Sequence, residues 1–163
     1  FQEQMGMIVG FGYDSHRFTE SRPLILGGVV IPENPGLQGH SDGDALSHAI
    51  ADAILGAAGA GDLGSYFPSE DPKWKDCDSL LILKEIIGII GDAGLKIGNV
   101  DVTIVCEKPR ISPHREVIIQ SLSRTMRIEQ KRLSIKSKSN DQMGWIGSGV
   151  GMAVYAVTLL ETM

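Results

Sequence analysis

Cysteine is scarce: the 163 residues hold two, Cys77 and Cys106, at no spacing that suits a metal cluster. A disulfide framework is thereby excluded, and the pair reads as two reduced thiols. Long apolar runs are also missing. The greasiest stretch, residues 86–95 (IIGIIGDAGL), is broken by Gly88, Gly91 and Asp92. It falls well short of the roughly 20 residues that a membrane-spanning helix needs. Positive charge is in deficit: 15 Lys and Arg face 20 Asp and Glu, for a net charge of −5 and a pI near 5.3. That excludes nucleic acid and anionic membrane as partners held by bulk attraction. An anionic small ligand would need local devices instead: a metal, helix N-termini, backbone N–H groups or a few Lys and Arg. No internal repeat and no low-complexity segment is found.

What is present fits one globular domain. Apolar residues make up 42% of the chain and mean hydropathy is +0.03, enough for a real core. Residues 1–6 (FQEQMG) read as a tag remnant or loose N-terminus, and the expected domain is 7–163. With no secretory pattern, the expected location is the cytoplasm.

Hydrophobic periodicity predicts strands over 7–13 (MIVGFGY) and 24–31 (LILGGVVI), the second broken by a bulge or turn at Gly27-Gly28. Pro32–Gly39 reads as loop. A helix is expected over 43–58, capped from within Ser41-Asp42-Gly43-Asp44, with Leu46, Ile50, Ala53, Ile54 and Ala57 as its apolar stripe. Residues 60–78 form a loop too long to be a plain connection, which points to function. A second helix covers 79–94, with Ser79 at its cap and Gly94 past its end. Residues 100–106 are a strand, 114–126 a helix and 133–138 a strand. Residues 140–149 are a Gly-rich loop. In 150–161, Val150, Val154, Val157 and Thr158 favour strand over helix. The order β-β-α-α-β-α-β-β predicts an α+β fold: a mixed four-stranded sheet with helices packed on one face, plus a small hairpin.

The histidines concentrate the chemistry. Three of the four, His16, His40 and His48, fall in the first third among acidic residues. Asp14 and His16 are two apart, so an extended backbone sends both side chains to one face. His48 lies one helical turn beyond Asp44. One Asp and two His without an obvious fourth protein ligand suit a zinc site with an open coordination position. Asp44 and Asp52 flank His48 at i−4 and i+4. They are the expected acceptors of its second ring N–H, unless Asp44 simply caps the helix.

A dense set of motifs goes further. Asp14-x-His16 is followed by Leu-x-Gly-His-Ser-Asp-Gly-Asp at 37–44, then His48 and Asp52. Next come Gly61-Asp62-Leu63-Gly64-x-x-Phe67-Pro68-x-x-Asp71 and Gly98-Asn99-Val100-Asp101-Val102-Thr103. In these the chain resembles the 2-C-methyl-D-erythritol 2,4-cyclodiphosphate synthases of the non-mevalonate isoprenoid pathway, over nearly its whole length from residue 7. The resemblance implies a homotrimer with active sites at subunit interfaces. It implies cyclisation of 4-diphosphocytidyl-2-C-methyl-D-erythritol 2-phosphate with release of CMP.

Matching positions make Asp14, His16 and His48 the zinc ligands, and Asp14 and His16 substrate contacts too. His40 and Ser139 are the transition-state stabilisers, with Ser41 touching substrate. Asp141 holds a second cation, magnesium or manganese, on the diphosphate. Asp62, Leu63, Gly64, Phe67 and Asp71 hold the methylerythritol. Cys106, Lys108, Pro109, Arg110, Ile111 and Ser112 form the cytidine loop. Lys138 and Trp145 complete the substrate contacts. The chain also departs from the pattern. Lys138-Ser139-Asn140-Asp141 replaces Thr-Thr-x-Glu, so Asp141 is one methylene short. Ser69 stands where an acid is usual. Ser148 and Val150 replace an Arg and a Glu that in some members guard an axial channel for isoprenoid diphosphates, so that binding is expected to be weak or absent. Two other readings of the same residues are a zinc phosphoesterase that hydrolyses a nucleotide diphosphate, and a non-catalytic trimeric ligand-binding module.

Overall fold

One strand dominates the architecture. In the computed structural model, which describes residues 6–163, β1 runs from Met7 to Leu26. Its first part, Met7–Arg17, pairs antiparallel with β5 (Gly151–Thr162). From Phe18 onward it pairs with β2 (Val29–Leu37) instead. Gly27 and Gly28 make the two-residue turn, both at positive φ (60° and 72°), as a primed hairpin turn requires. β3 (Leu95–Val105) pairs antiparallel with β5 and parallel with β4 (Leu133–Lys138).

The sheet order is β2-β1-β5-β3-β4, five strands. The expected four-stranded sheet with a separate hairpin is therefore corrected: hairpin and sheet share β1 and form one ladder. The polar run Asp14–Arg17 that follows residue 13 carries no apolar alternation to mark a strand. The strand runs on all the same, since its backbone is paired first by β5 and then by β2. β2 runs on through Pro32 and Pro35, where a loop was expected; as an edge strand it tolerates their missing N–H groups.

The helices lie against one face. α1 (Ala45–Ala57) sits on β1, where glycines let it come close. A Cβ on Gly10 or Gly12 would stand 2.0 Å from Ala53 O or Ala49 O. α3 (Ser79–Asp92) packs beside it, and α4 (Arg115–Met126) packs beside α3. Leu46, Ile50, Ile54, Leu83, Ile86, Ile104 and Val154 are fully buried between the helices and the sheet. Each such side chain contributes about 1.5–3 kcal/mol. The expected helix over 79–94 is capped by Asp78, not Ser79. The 60–78 segment holds a one-turn α2 (Leu63–Tyr66) and a 3-10 turn at Pro72–Trp74. The 140–149 loop holds α5 (Gly144–Gly147).

The other face of the sheet is uncovered. Val9, Phe11 and Tyr13 of β1 and Tyr155 and Val157 of β5 are all exposed there, with the Tyr13 and Tyr155 rings 5.2 Å apart. Among the described residues no helix is long and apolar enough to cross a membrane. The tag remnant read at residues 1–6 lies, but for Gly6, outside the described residues.

Candidate active site

The β1 pleat and the α1 approach create the centre. Gly10, Gly12, Asp14 and His16 share the inner face of β1, the face on which α1 rests. His48, on the first turn of α1, is thereby lowered onto Asp14. Asp14 Oδ2 stands 2.7 Å from His16 Nε2 and 3.2 Å from His48 Nδ1. The three donor atoms lie within 4.8 Å of one another. One carboxylate oxygen and two imidazole nitrogens, partly shielded from water, fit a divalent metal ion.

Electrostatics tie the three together. Burial pushes the Asp14 carboxyl up, but hydrogen bonds and charge from His16 and His48 outweigh it and hold it below the usual aspartate range. Burial pushes His48 down, and the Asp14 bond with the nearby carboxylates of Asp44 and Asp42 reverses this, leaving it above the usual histidine range. Each group thus favours the charged form of the other, with His48 Nδ1 facing the Asp14 carboxylate.

Asp44 and Asp52 do not take the second ring N–H of His48. Asp44 is the N-cap of α1 and is fully buried. Its two oxygens accept from the backbone N–H of Gly27, Gly28 and Ser47 and from Ser47 Oγ, which ties the helix start to the hairpin turn. Asp52 accepts from Leu63 N at 2.7 Å and so anchors the 60–78 segment. His48 Nε2 instead meets two hydroxyls, Ser79 Oγ at 2.8 Å and Ser41 Oγ at 3.1 Å. Ser79 is bonded twice by Asp42. Sequence reading assigned Ser79 and Asp42 to capping. The pair Asp78-Ser79, with the acid as cap and the hydroxyl one step inside the helix, was the signal that could have separated them.

Around the triad lies a cavity of about 240 Å³ that includes His40, Ser41, Leu63, Phe67 and Trp74. His40 is exposed, with Nε2 3.4 Å from Asp71 O. Phe67 packs edge-on against Trp74, their centroids 4.7 Å apart. Asp62 and Asp71 cap α2 and the 3-10 turn, and Gly64 is exposed on α2; these three do not line the cavity.

The remaining predicted residues are elsewhere. Cys106, Pro109, Arg110, Ile111, Ser112, Lys138 and Ser139 line a second cleft of about 230 Å³. Lys108 faces a third hollow of about 650 Å³, which holds none of the metal triad; donor chemistry, not size, decides which cavity is the centre. Trp145 lies in a shallow hollow with Ser15, His16 and Arg17. Asp141 is exposed, at φ 50°, and Ser139 Oγ reaches its Oδ1 at 3.4 Å. Glu107, unmarked in the sequence, holds this loop by accepting from Asn140 N and Gln142 N.

The two halves do not meet within one chain. Register runs Ser15–Ala153–Val105–Lys138, three strand spacings or about 14 Å. They also differ in face: Leu133 and Ile135 point into the core, so Lys136 and Lys138 belong to the uncovered side, where Lys136 pairs with Asp101.

Comparison with known proteins gives this arrangement a context. Residues 7–161 match the model of the YgbB family. The 2-C-methyl-D-erythritol 2,4-cyclodiphosphate synthase of Gloeobacter violaceus is 49% identical over 155 residues, which cover 95% of each chain. A solved structure of such a synthase in a CDP-bound form superposes with TM-score 0.86 at 38% identity, over 93% of this chain and 99% of that one. The bifunctional IspDF from Campylobacter jejuni superposes with TM-score 0.95 at 34% identity; this chain is matched over 98% of its length and spans 43% of that protein.

Proposed function

Because this chain belongs to the YgbB family, we infer that it is a 2-C-methyl-D-erythritol 2,4-cyclodiphosphate synthase of isoprenoid precursor biosynthesis, with residues 7–163 as one catalytic domain. Its substrate is 4-diphosphocytidyl-2-C-methyl-D-erythritol 2-phosphate: the 2-phosphate oxygen attacks the β-phosphorus and CMP leaves. The observation that carries the reading is the triad of Asp14, His16 and His48 converging beside His40 and Ser41.

Asp14, His16 and His48 would hold zinc. When bound there, the metal would supply Lewis-acid polarisation of a phosphate oxygen. The rest falls to positioning and charge. His40 and Ser41 lie at the cavity edge, where they reach the phosphates. Leu63 and Phe67 receive the methylerythritol, with Asp62, Gly64 and Asp71 shaping the segment around it. On the other half, Cys106 to Ser112 with Lys108 and Arg110 receive the cytidine. Lys138 and Ser139 act on the diphosphate, and Asp141 would hold a second cation, magnesium or manganese; Trp145 stands at the edge beside His16. Loss of one positioned donor such as Ser139 raises the barrier by about 2.7–4 kcal/mol.

A homotrimer completes the site. The two halves lie three strand spacings apart in one chain, so a second copy would bring its Lys138–Asp141 wall to the metal site of the first. The uncovered face with Val9, Phe11, Tyr13 and Val157 supports such an assembly, since exposed apolar patches of this kind mark interfaces. Phosphorus NMR of the protein with substrate and metal tests the reaction. Cyclic diphosphate plus CMP is expected; linear phosphates would mean a hydrolase, and no turnover a binding module. Mixing inactive His48→Ala and Ser139→Ala chains after dissociation tests the shared site. Recovered activity is expected, and none would refute it.

A further inference from the structure

Arg22 stands where β1 bulges. In the β1–β2 ladder Thr19 faces Gly36 and Pro23 faces the adjacent Pro35, so Glu20, Ser21 and Arg22 have no partner on β2. A bulge of this kind re-aims the side chains it carries. The Arg22 guanidinium is turned onto the loop between β2 and α1. Its Nη1 donates to Gly39 O at 3.0 Å and to Leu37 O at 3.4 Å, and its Nη2 to Asp76 Oδ1 at 3.0 Å. Asp76 reaches the same loop a second way, its backbone N–H donating to His40 O at 3.0 Å. It does so at φ 56°, left-handed backbone that glycine adopts more easily. Residues held in such backbone gather at sites where the surrounding structure has a task for them. The far end of the loop is tied separately, Asp42 accepting from Ser79 N. Between the two ties lie His40 and Ser41. Two residues before Asp76 is Trp74, which walls the metal cavity together with Phe67.

Folding stability is a poor reason for this contact. The Asp76 side chain is 67% exposed and that of Arg22 21%, and ion pairs so open to water contribute little. Both residues act instead on segments that face the cavity. We propose that Arg22 and Asp76 are positioning residues, a latch that sets the His40–Ser41 loop over the metal triad and holds the 60–78 segment against it. This rests on the reading of His40, Ser41 and Phe67 as substrate contacts given above. The two residues are separable. Removing the Arg22 side chain frees both the loop and the segment. Removing the Asp76 carboxylate loosens the segment, while Arg22 keeps its two carbonyls and Asp76 N keeps His40 O.

Steady-state kinetics and hydrogen exchange read by mass spectrometry test the latch together. Arg22→Ala should lower kcat by about 10–100-fold, the loss that a displacement of about 1 Å at a reacting group brings. It should also speed amide exchange in both 37–41 and 70–78. Asp76→Gly should raise KM by about fivefold, the upper end for an exposed ion pair, with kcat within about twofold of wild type and faster exchange in 70–78 alone. Glycine relieves the left-handed backbone at that position, so Tm should fall by no more than about 3 °C. A merely structural tie would speed exchange and leave both kinetic constants alone. Constants within about twofold of wild type in both variants would therefore overturn the proposal, and so would unchanged exchange in both. Where Arg22→Ala does not fold, Asp76→Gly decides by itself: KM within about twofold of wild type overturns the latch. A wild type that forms no cyclic diphosphate, with faster exchange in the variants, would refute the reading of the reaction and leave the latch contacts standing.

Discussion

Gly12→Ala concentrates the link between packing and chemistry in one methyl group. Its Cβ would stand 2.0 Å from Ala49 O and 2.6 Å from Ala53 N, where contacts under 3.0 Å do not occur. The obstacle is helix backbone, so no side chain can swing aside, and α1 must retreat from β1 by about 1 Å. Overpacking of a core costs about 1–3 kcal/mol, and a backbone clash belongs at the upper end, about 3 kcal/mol. At about 2–4 °C per kcal/mol for a chain this size, Tm falls by about 6–12 °C.

The retreat also reaches the metal. His48 directly precedes Ala49, so the gap between Asp14 and His48, now 3.2 Å, widens with the helix. The Asp14–His16 pair at 2.7 Å lies within β1 and stays. A displacement of about 1 Å in a reacting constellation costs about a hundredfold in rate. Thermal melts at fixed protein concentration, zinc competition and phosphorus NMR turnover together read the effect. Gly88→Ala is the control. It lies exposed in α3 with nothing within 4 Å of its would-be Cβ, so the same substitution stabilises by about 0.5–1 kcal/mol. A Gly12→Ala protein with unchanged Tm and zinc affinity would refute the claim that the glycine contact seats His48.

Asp44→Ala strands three backbone N–H groups at the hairpin turn and helix start. Lost capping of about 1 kcal/mol and one buried unpaired donor of about 1–3 kcal/mol give about 2–4 kcal/mol, read by urea denaturation; a loss under about 0.5 kcal/mol would contradict it. Burial pushes the Cys106 thiol up to about 11 from 9.0, with the Glu107 charge adding to it. The unfolded state therefore ionises first, and stability falls as pH rises between those values; Cys106→Ala should lose that alkaline limb, and an identical pH profile would count against it. Ser148 spends its hydroxyl on Gly144 O and Trp145 O, within its own turn, and Val150 is uncharged. Calorimetry with farnesyl diphosphate should accordingly show no micromolar binding, and a micromolar Kd would refute the expectation.

How much of this was legible in the sequence depends on the range of the interactions. The α1 stripe, the strand choice for 150–161 and the Asp14–His16 spacing are local periodicities, and the structure keeps them. The extended run from Asp14 to Pro23 is set by two different partners along one strand, which no window of ten residues contains. The same holds for the bonds behind His48. Helical spacing pointed to Asp44 and Asp52, yet a residue 31 positions away supplies the contact, because α3 begins beside α1 only after folding. Local reading ranks candidates by sequence distance, while a buried imidazole takes the acceptor that packing delivers.

The two walls of the site differ for a related reason. The metal wall is built from one strand and the helix lying on it, so a single chain specifies it completely. The Lys138–Asp141 segment leaves the end of β4 and lines a separate cleft three strand spacings from the triad. In the proposed trimer its departures, Ser139 for a threonine and Asp141 for a longer acid, would be constrained by a neighbour's surface and a diphosphate, not by this chain's core. Both side chains are exposed, and their hydrogen bonds are with each other. Such positions can change at little cost to the fold, whereas a change at buried Asp44, His48 or Ser79 strands hydrogen-bond partners.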